Sequence, residues 1–535
     1  MPNPALPQRP TLTPARWPAI LIAGLIAVGA VAVVLAVVPS EFFDLDRFSV
    51  PKELALLGTG LLAGLVLLAS APDIELGIAE AGLLAFLGLS AVSALFATNH
   101  WLAARSFSVT LGGAAVFFAA RGAAARIGRA AIAGPLVVAV LAGAMSGLLQ
   151  AYGWDSALLA DTRAPGGTLG NRNFMAHLAV IGLPLVWWLV AKVRSRPAVV
   201  LSGLGAVVIA AAVVLSRSRA AWVGLGATMV VMGTGALITR SGEARIGRRR
   251  LLWFVAALAA GATLALVLPN RLDWKSRSPY RDSLRDVLNY REGSGHGRLI
   301  QYRNSLKLVR ENPLFGTGPG NWFVDYPTVT TPGDPSFGGA DPIPTNPWPS
   351  SDWVALVVER GPAAALLWIG TLICFAVVAL RRARDPLHGA SAIAALGVMT
   401  AVSVVGLFDA VLLLAPPTLI AGAALGSLLP ATRPVGRIPI ATARARWLLG
   451  FAAVMIPLVV RTAGETTAAV TAGTGYPIST LEAAVRFDPG NYRLHLHLAL
   501  REGCSAAGRA HAARAAALLP NHPWPRRLVR RCGGA

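Results

Sequence analysis

Residues 17–38 read WPAILIAGLIAVGAVAVVLAVV, an apolar run without a charge, preceded by polar residues through Arg16. A helix rises about 1.5 Å per residue, so about 20 apolar residues cross the hydrocarbon layer of a bilayer. The run therefore predicts a spanning helix. It is not read as a cleaved signal peptide, because no small-residue cleavage site with a soluble protein follows it. Similar runs recur at 54–71, 79–96, 107–120, 130–152, 174–193, 198–215, 220–239, 251–268, 361–380, 389–407, 412–429 and 447–460. The runs at 107–120 and 447–460 are short. The expected fold is all-α, a polytopic membrane helix bundle of about 12–14 transmembrane helices. Composition agrees: of 535 residues, 55% are hydrophobic and 14% charged, against about 25% charged in soluble domains. Polar residues gather in two long stretches, 269–352 and 461–535. The expected division is a transmembrane domain over 1–460, with a large loop at 269–352, and a helical tail over 461–535.

The net charge is +22. A nucleic-acid face would interleave basic and aromatic residues on a soluble domain. Here Arg and Lys cluster at the ends of apolar blocks, where they fix topology, so no nucleic-acid partner is expected. With the N-terminus in the cytoplasm, the inner loops hold Arg121, Arg126 and Arg129, then Lys192, Arg194 and Arg196. Arg240, Arg245, Arg248, Arg249 and Arg250 follow, then Arg381, Arg382 and Arg384, then Arg433, Arg437, Arg444 and Arg446. One inner loop, near Asp73 and Glu75, has no basic residue and disagrees. Segments 39–53, 97–106, 153–173, 216–219 and 408–411 then fall outside the cytoplasm with the two long polar stretches.

Cys374 sits in an apolar block, as packing. Cys504 and Cys532 lie in the tail, either as a disulfide if the tail is extracytoplasmic or as two free thiols. No CxxC or His/Cys cluster suggests a structural metal. The tail carries two Pro–Asn turns, DPGN at 488–491 and LPNH at 519–522, about 31 residues apart. It resembles a tetratricopeptide pair, whose period is about 34 residues and whose hairpins offer a partner-binding groove. A plain helical cap on the membrane domain is the other reading.

The outer segments carry the polar chemistry. Residues 163–177, RAPGGTLGNRNFMAH, crowd glycines, asparagines and Arg163 at the start of a helix. Glycines let backbone approach a ligand closely, and Asn171 and Asn173 either cap the helix or bind substrate. In LSRSRAAWVGL, 215–225, Arg217 and Arg219 lie between two apolar blocks on the outer side. The positive-inside rule disfavours arginine there, and anion binding supplies a reason. The planar fork of arginine suits phosphate oxygens, so the pair would meet a lipid diphosphate at the membrane surface. Snorkelling to headgroups is the bland alternative.

The large loop contains GSGHGRLIQYRNSLKLVRENPLFGTGPGNWFVDYP, 293–327. Apolar spacing predicts a helix from Arg298 to Val309, stopped by Pro313. Arg298 would stand at the helix start, where amides favour anions. GTGPGNW lacks the following GKS or GKT of a Walker A loop and reads as an ordinary tight turn. Segment 346–370, NPWPSSDWVALVVERGPAAALLWIG, returns to the membrane with Ser350, Ser351, Asp352 and Glu359 at its edge. Glu359 and Arg360 are also compatible with marking the interface.

Four segments together resemble the O-antigen ligase/polymerase superfamily of bacterial envelope enzymes. GGTLGNRN resembles its GT-x-GN-x-N loop, SRSRAAW its SRG-aromatic segment, GR…ENPLFGTGPGNW the start of its large periplasmic loop, and SSDWVALVVERG its HN-x-[YW]-LQ-x-x-x-E-x-G segment. They occur in the family's order, and the matching helices run from about residue 17 to 460. The resemblance implies glycosyl transfer on the periplasmic face of the inner membrane, with the N-terminus cytoplasmic and the tail periplasmic. The implied donor is an undecaprenyl-diphosphate-linked glycan. The implied acceptor is lipid A-core, a second lipid-linked glycan, or a protein. Surrounding membrane lipids and, through the tail, a protein partner complete the implied contacts. Neither nucleotide nor metal is implied, and no cofactor. By motif, Arg219 and Arg298 match the arginines that hold the diphosphate, with Arg217, Arg163, Asn171, Asn173 and His296 as further substrate-binding residues. One departure stands out: Ser350 occupies the place of the family's histidine, and Ser351 that of the asparagine. A serine hydroxyl is no general base near neutral pH without help. Asp352, Glu359 and His296 are the candidate substitutes.

The alternative is a lipid-linked glycan flippase or other secondary transporter. Transporters place ionisable residues near the midplane. The apolar runs here are almost free of them, with Asp409 and His177 the nearest cases. A loop of about 80 residues is also longer than ordinary connections. A scaffold that recruits partners through the tail is the third reading.

Overall fold

A computed structural model describes residues 16–39, 45–159, 163–192, 195–238, 248–289, 291–336, 346–430, 434–472 and 477–532. Arg194, Arg240, Arg245 and Arg433, expected in inner loops, lie outside the described residues, as do parts of the expected outer segments at 40–44, 160–162 and 337–345. In chain order the helices are α1 (Trp17–Leu35), α2 (Asp46–Ser70), α3 (Ile78–Leu95), α4 (His100–Ile127), α5 (Ala130–Ala151), α6 (Arg172–Lys192), α7 (Arg196–Ser216), α8 (Arg219–Ile238) and α9 (Arg248–Val267). The large loop carries α10 (Pro279–Arg285), α11 (Gly293–Glu311) and α12 (Trp322–Asp325). Then come α13 (Asp352–Arg382), α14 (Gly389–Gly406), α15 (Ala415–Leu428) and α16 (Arg444–Thr471). The tail folds as α17 (Ile478–Phe487), α18 (Tyr492–Glu502), α19 (Ala506–Leu518) and α20 (Pro523–Cys532). Among the described residues, 12 helices are long and apolar enough to cross a membrane, and α15 is a shorter apolar helix. The chain is an all-α polytopic bundle, and each expected apolar run falls on one helix.

Three expectations need correction. The runs at 107–120 and 447–460 belong to helices of 28 residues each, α4 and α16. Their polar ends are helical because charges there are paired. The Asn99 side chain caps α4 at the amides of Trp101 and Leu102. Arg105 meets Asp46 and Glu53, each at 2.8 Å. Arg461 and Glu465 pair at 2.6 Å one turn apart, carrying α16 past residue 460, where the tail was expected to begin. The helices therefore hold more buried charge than the apolar runs alone suggested, Lys52, Glu53 and Glu80 included. The third concerns the loop at Asp73 and Glu75. Its strand β1 (Ile74–Leu76) pairs antiparallel with β2 (Gly436–Ile438). Arg437 there reaches Asp73 at 3.1 Å and Glu75 at 3.0 Å, so the basic residue missing from one loop comes from its neighbour.

Close helix packing rests on small residues, as expected where lipid offers no hydrophobic drive between helices. A Cβ on Gly422 of α15 would meet the Gly113 carbonyl of α4 at 2.8 Å, and one on Gly426 the Phe117 carbonyl at 2.2 Å. α6 and α14 are the most enclosed spans, and Trp188 of α6 donates to Ser391 of α14 at 2.9 Å.

α13 is broken at Gly361, with φ 83° and ψ 160°. Pro362 lacks the amide that the Val358 carbonyl would accept in a continuous helix. The Thr317 and Gly318 amides take over, donating to the Val358 and Glu359 carbonyls at 2.9 Å each. The glycine-rich segment is thus a structural turn. Gly316, Gly318 and Gly320 all have positive φ and lie against backbone or Ala97.

One end of the bundle collects the segments expected outside the cytoplasm. Arg47 donates to the Ala157 and Leu159 carbonyls. Asn99 and Asn321 exchange hydrogen bonds of 2.7 and 3.1 Å, and the Arg271 amide meets the Ala151 carbonyl at 2.8 Å. The tail docks on the same end: Asn99 donates to the Leu518 carbonyl at 2.9 Å, and Trp101 to Asp488 at 2.8 Å.

Candidate functional site

Arg217 and Arg219 lie at the junction of α7 and α8. Arg217 caps α7 in the left-handed conformation, φ 54° and ψ 24°, and α8 starts two residues later. The turn sends the two side chains to different partners, so they do not act as the pair their spacing predicts. Arg217 stacks on Trp274, 4.6 Å from the ring centre, and donates to Ser283 at 2.9 Å. Arg219 donates to the Asp286 carbonyl and, at 2.5 Å, to the Ser294 hydroxyl.

Ser294 belongs to the first turn of α11, which starts at Gly293 rather than at Arg298 as expected, so Arg298 stands in the second turn and not at the helix start. Arg219 and Arg298 line one recess of about 310 Å³ with Ala220, Asn289, Gly295 and Phe408. The recess takes residues from the first turns of both α8 and α11. Helix N-termini present unpaired amides and a partial positive charge, which favour an anion. A cavity of about 1120 Å³ lies elsewhere among the spans. Its walls are mostly apolar, and it touches Asp352 and Arg360 but neither Arg219 nor Arg298.

Asp409, in the loop between α14 and α15, stands beside the recess. Its Oδ2 lies 3.5 Å from Arg298 Nη2, accepts from Asn173 Nδ2 at 3.0 Å, and is 3.8 Å from His177 Nε2. The Ala410 amide holds Oδ1 at 2.9 Å. His177 is completely buried, and neither ring nitrogen is hydrogen-bonded among the described residues. Asn171 does what a cap does, accepting from the Asn173 amide at 3.0 Å. It thereby orients Asn173 toward Asp409.

The other candidates sit differently. Asp352 does not line the recess. Its two oxygens accept from the Val411 and Leu412 amides at 2.9 Å each, which pins the loop that carries Asp409. Glu359 is buried beside Arg360, 3.8 Å away, and Arg360 donates to Thr110. Both residues are inside the protein rather than at the interface, 2% and 5% exposed. His296 is exposed on α11 and makes no hydrogen bond among the described residues. Arg163 is exposed, and its carbonyl accepts from the Arg172 amide at 3.1 Å. Ser350, which the resemblance sets in the place of a histidine, is tied through its backbone: its amide meets Gln301 at 2.6 Å and its carbonyl Tyr302 at 2.5 Å. Ser351 caps the start of α13 and donates to the Gly406 carbonyl at 3.0 Å.

Residues 204–369 match the family model described as O-antigen ligase. The match supports the O-antigen ligase superfamily and, with it, lipid-linked glycan transfer or ligation as the general chemistry of a multi-pass membrane enzyme. The matched segment begins in α7 and ends in α13, so Arg217, Arg219, Arg298, Asp352 and Glu359 all fall within it. Arg163, Asn171, Asn173, His177, Asp409 and the tail fall outside it. No curated protein matches the chain.

Sequence reasoning passed over Asp409 and His177 as site residues, and Arg172 and Trp274 entirely. The signal for Asp409 was slight, a lone carboxylate between two apolar runs. Where the tail meets the large loop, burial disturbs the protonation of two groups. Asp325, hydrogen-bonded to Asn521 at 3.0 Å, has its pKa pushed up to about 6 by burial. His522, also buried, is pushed down to about 4, with Arg527 adding to the effect. Cys504 and Cys532 are joined as a disulfide that ties the start of α19 to the end of α20.

Proposed function

We propose that this protein transfers or polymerises an undecaprenyl-diphosphate-linked glycan on the periplasmic face of a bacterial inner membrane. The observation that carries this reading is the convergence of Arg219 and Arg298, distant in sequence, on one recess beside two helix N-termini. The Cys504–Cys532 disulfide supports a tail in an oxidising compartment, on the end of the bundle that bears the recess.

In the proposed reaction the donor diphosphate lies against Arg219 and Arg298. An acceptor hydroxyl attacks the anomeric carbon, the bond from that carbon to the diphosphate oxygen breaks, and the lipid diphosphate leaves with the electron pair. Charge grows on the diphosphate as the bond breaks. Guanidinium groups fixed there stabilise the transition state more than the ground state, which is catalysis by preorganised electrostatics. The acceptor proton passes to Asp409, the carboxylate nearest Arg298, in the role the family gives to the histidine replaced here by Ser350. Asn173 positions that carboxylate, with His177 packed beside it. Asp352 holds its loop.

The test is turnover by the purified full-length protein in liposomes, given a labelled undecaprenyl-diphosphate glycan extracted from the source cells. Release of lipid diphosphate with growth or transfer of the glycan supports the reading. Movement of intact donor across the bilayer with no release would replace it with the flippase reading.

A further inference from the structure

Arg217 faces away from the recess, into a second cluster. Its guanidinium and that of Arg172 both lie on Trp274, 4.6 and 5.0 Å from the ring centre. Arg163 adjoins them through its carbonyl contact with the Arg172 amide. No ion pair is formed by Arg163, Arg172 or Arg217 among the described residues. Asp282, on α10 and hydrogen-bonded to Ser276, is the nearby carboxylate; it acts on Arg217 at a distance, without an ion pair, and offsets at most one of these positive charges. The indole N–H of Trp274 is buried and bonds nothing among the described residues. Two guanidiniums thus share one ring, with Arg163 a third positive charge acting on Arg172, and stacking with one unpaired carboxylate nearby is weak compensation beside ion pairs.

The backbone gives an independent sign. Arg217 is the one non-glycine residue with positive φ among the described residues. Helices commonly end with glycine in that conformation, because a side chain there costs free energy. An arginine in a conformation that favours glycine, facing a cluster with a surplus of positive charge, is a mark of function rather than of stability.

Resting on the glycan-transferase reading above, we infer that Arg163, Arg172, Arg217 and Trp274 form a subsite for a carboxylate- or phosphate-bearing sugar, and hence that the glycan handled here is acidic. The planar forks of Arg172 and Arg217 suit such oxygens, and the indole N–H supplies a further donor. Arg217 and Arg219 are two residues apart, so the anionic sugar would lie next to the diphosphate recess. A phospholipid headgroup offers the same oxygens and is the competing source.

The test is binding, which needs no turnover and so fails or succeeds separately from the transferase reading. Full-length protein in nanodiscs of phosphatidylcholine is titrated with a galacturonic acid oligomer and with a neutral galactose oligomer of equal length. The acidic oligomer is expected to bind at least about ten-fold tighter, the equivalent of one charge-assisted contact. Arg172→Gln and Arg217→Gly are expected to remove that preference. Arg217→Gly suits the left-handed turn better than arginine does, so its loss of binding cannot be assigned to misfolding. Arg219→Ala is expected to retain the preference while losing transfer. Equal affinity for the two oligomers, or undiminished preference in Arg217→Gly, overturns the proposal. So does phosphatidylglycerol that co-purifies with the wild type, is lost from Arg217→Gly, and blocks the acidic oligomer when added to the nanodiscs.

Discussion

Replacing Asp409 by asparagine separates two roles that its position allows. The carboxylate is 3.5 Å from Arg298 and buried, 8% exposed, so it is close enough to restrain the guanidinium, and the proposed base role requires the acceptor to reach its remaining exposed edge. The substituted amide would keep the size of the side chain and a carbonyl oxygen for the Ala410 N–H, so the loop should hold. It would lose the proton-accepting charge. General-base catalysis is worth about 10²–10⁴ in rate, or about 3–5 kcal/mol of barrier at 1.36 kcal/mol per decade. The opposite effect is expected on donor binding. A hydrogen bond to a charged group contributes about 1.5–3 kcal/mol at most, and this one is long, 3.5 Å, with the arginine side chain partly exposed. Freeing Arg298 from it should leave the donor KM unchanged or lower. The assay is steady-state transfer in liposomes with donor varied and acceptor saturating. A fall in kcat of about a hundredfold or more with donor KM not raised is the expected split. A kcat within about two-fold of wild type would refute the base assignment and leave Asp409 as a counter-ion only.

Three further outcomes follow from the fold. Cys504→Ser opens a loop closed over a separation of 28 residues, and chain entropy puts the loss at about 3.6 kcal/mol; amide exchange in α19 and α20 of the full-length protein should accelerate accordingly, and unchanged protection would count against the disulfide. Gly361→Ala places a Cβ 2.2 Å from the Leu314 carbonyl at φ 83°, a conformation that alone costs about 1–3 kcal/mol; its melting temperature should fall well below that of Gly370→Ala, where a Cβ meets nothing within 4 Å. His522 has a folded pKa of about 4, below its unfolded value of 6.5, so its contribution is fully present above pH 6.5 and is lost as pH falls toward 4; His522→Gln should remove that part of the acid sensitivity of tail protection, and identical profiles for the two proteins would contradict it.

The spans were legible because each apolar run is a local property of the chain. Their ends were not, since α4 and α16 extend through charges whose partners are remote: Arg105 meets Asp46 and Glu53 across helices. Arg219 could be singled out because charge between two apolar blocks outside the expected cytoplasmic loops is anomalous in itself, and Arg298 by its expected place at a helix start and by the motif it matches. That they line one recess, while Arg217 turns away, depends on a left-handed residue that no periodicity announces. Asp352 looked catalytic beside Ser350, yet its oxygens are occupied by two amides of the α14–α15 loop. Asp409 gains its place only when that loop is folded against α6 and α11, bringing Asn173, His177 and Arg298 to one oxygen. The glycines of GTGPGNW were read correctly as a turn, but the reason is Pro362, about forty residues away, whose missing amide frees the carbonyl that the turn satisfies.

The most direct measurement is complementation of a deletion strain with wild type, Arg219→Ala or Arg298→Ala, with membrane levels shown equal and surface glycans resolved on a gel. Wild type should restore a glycan species that either variant loses, with lipid-linked donor accumulating in its place. Full restoration by both variants would contradict the diphosphate clamp and bring the transporter and scaffold readings forward.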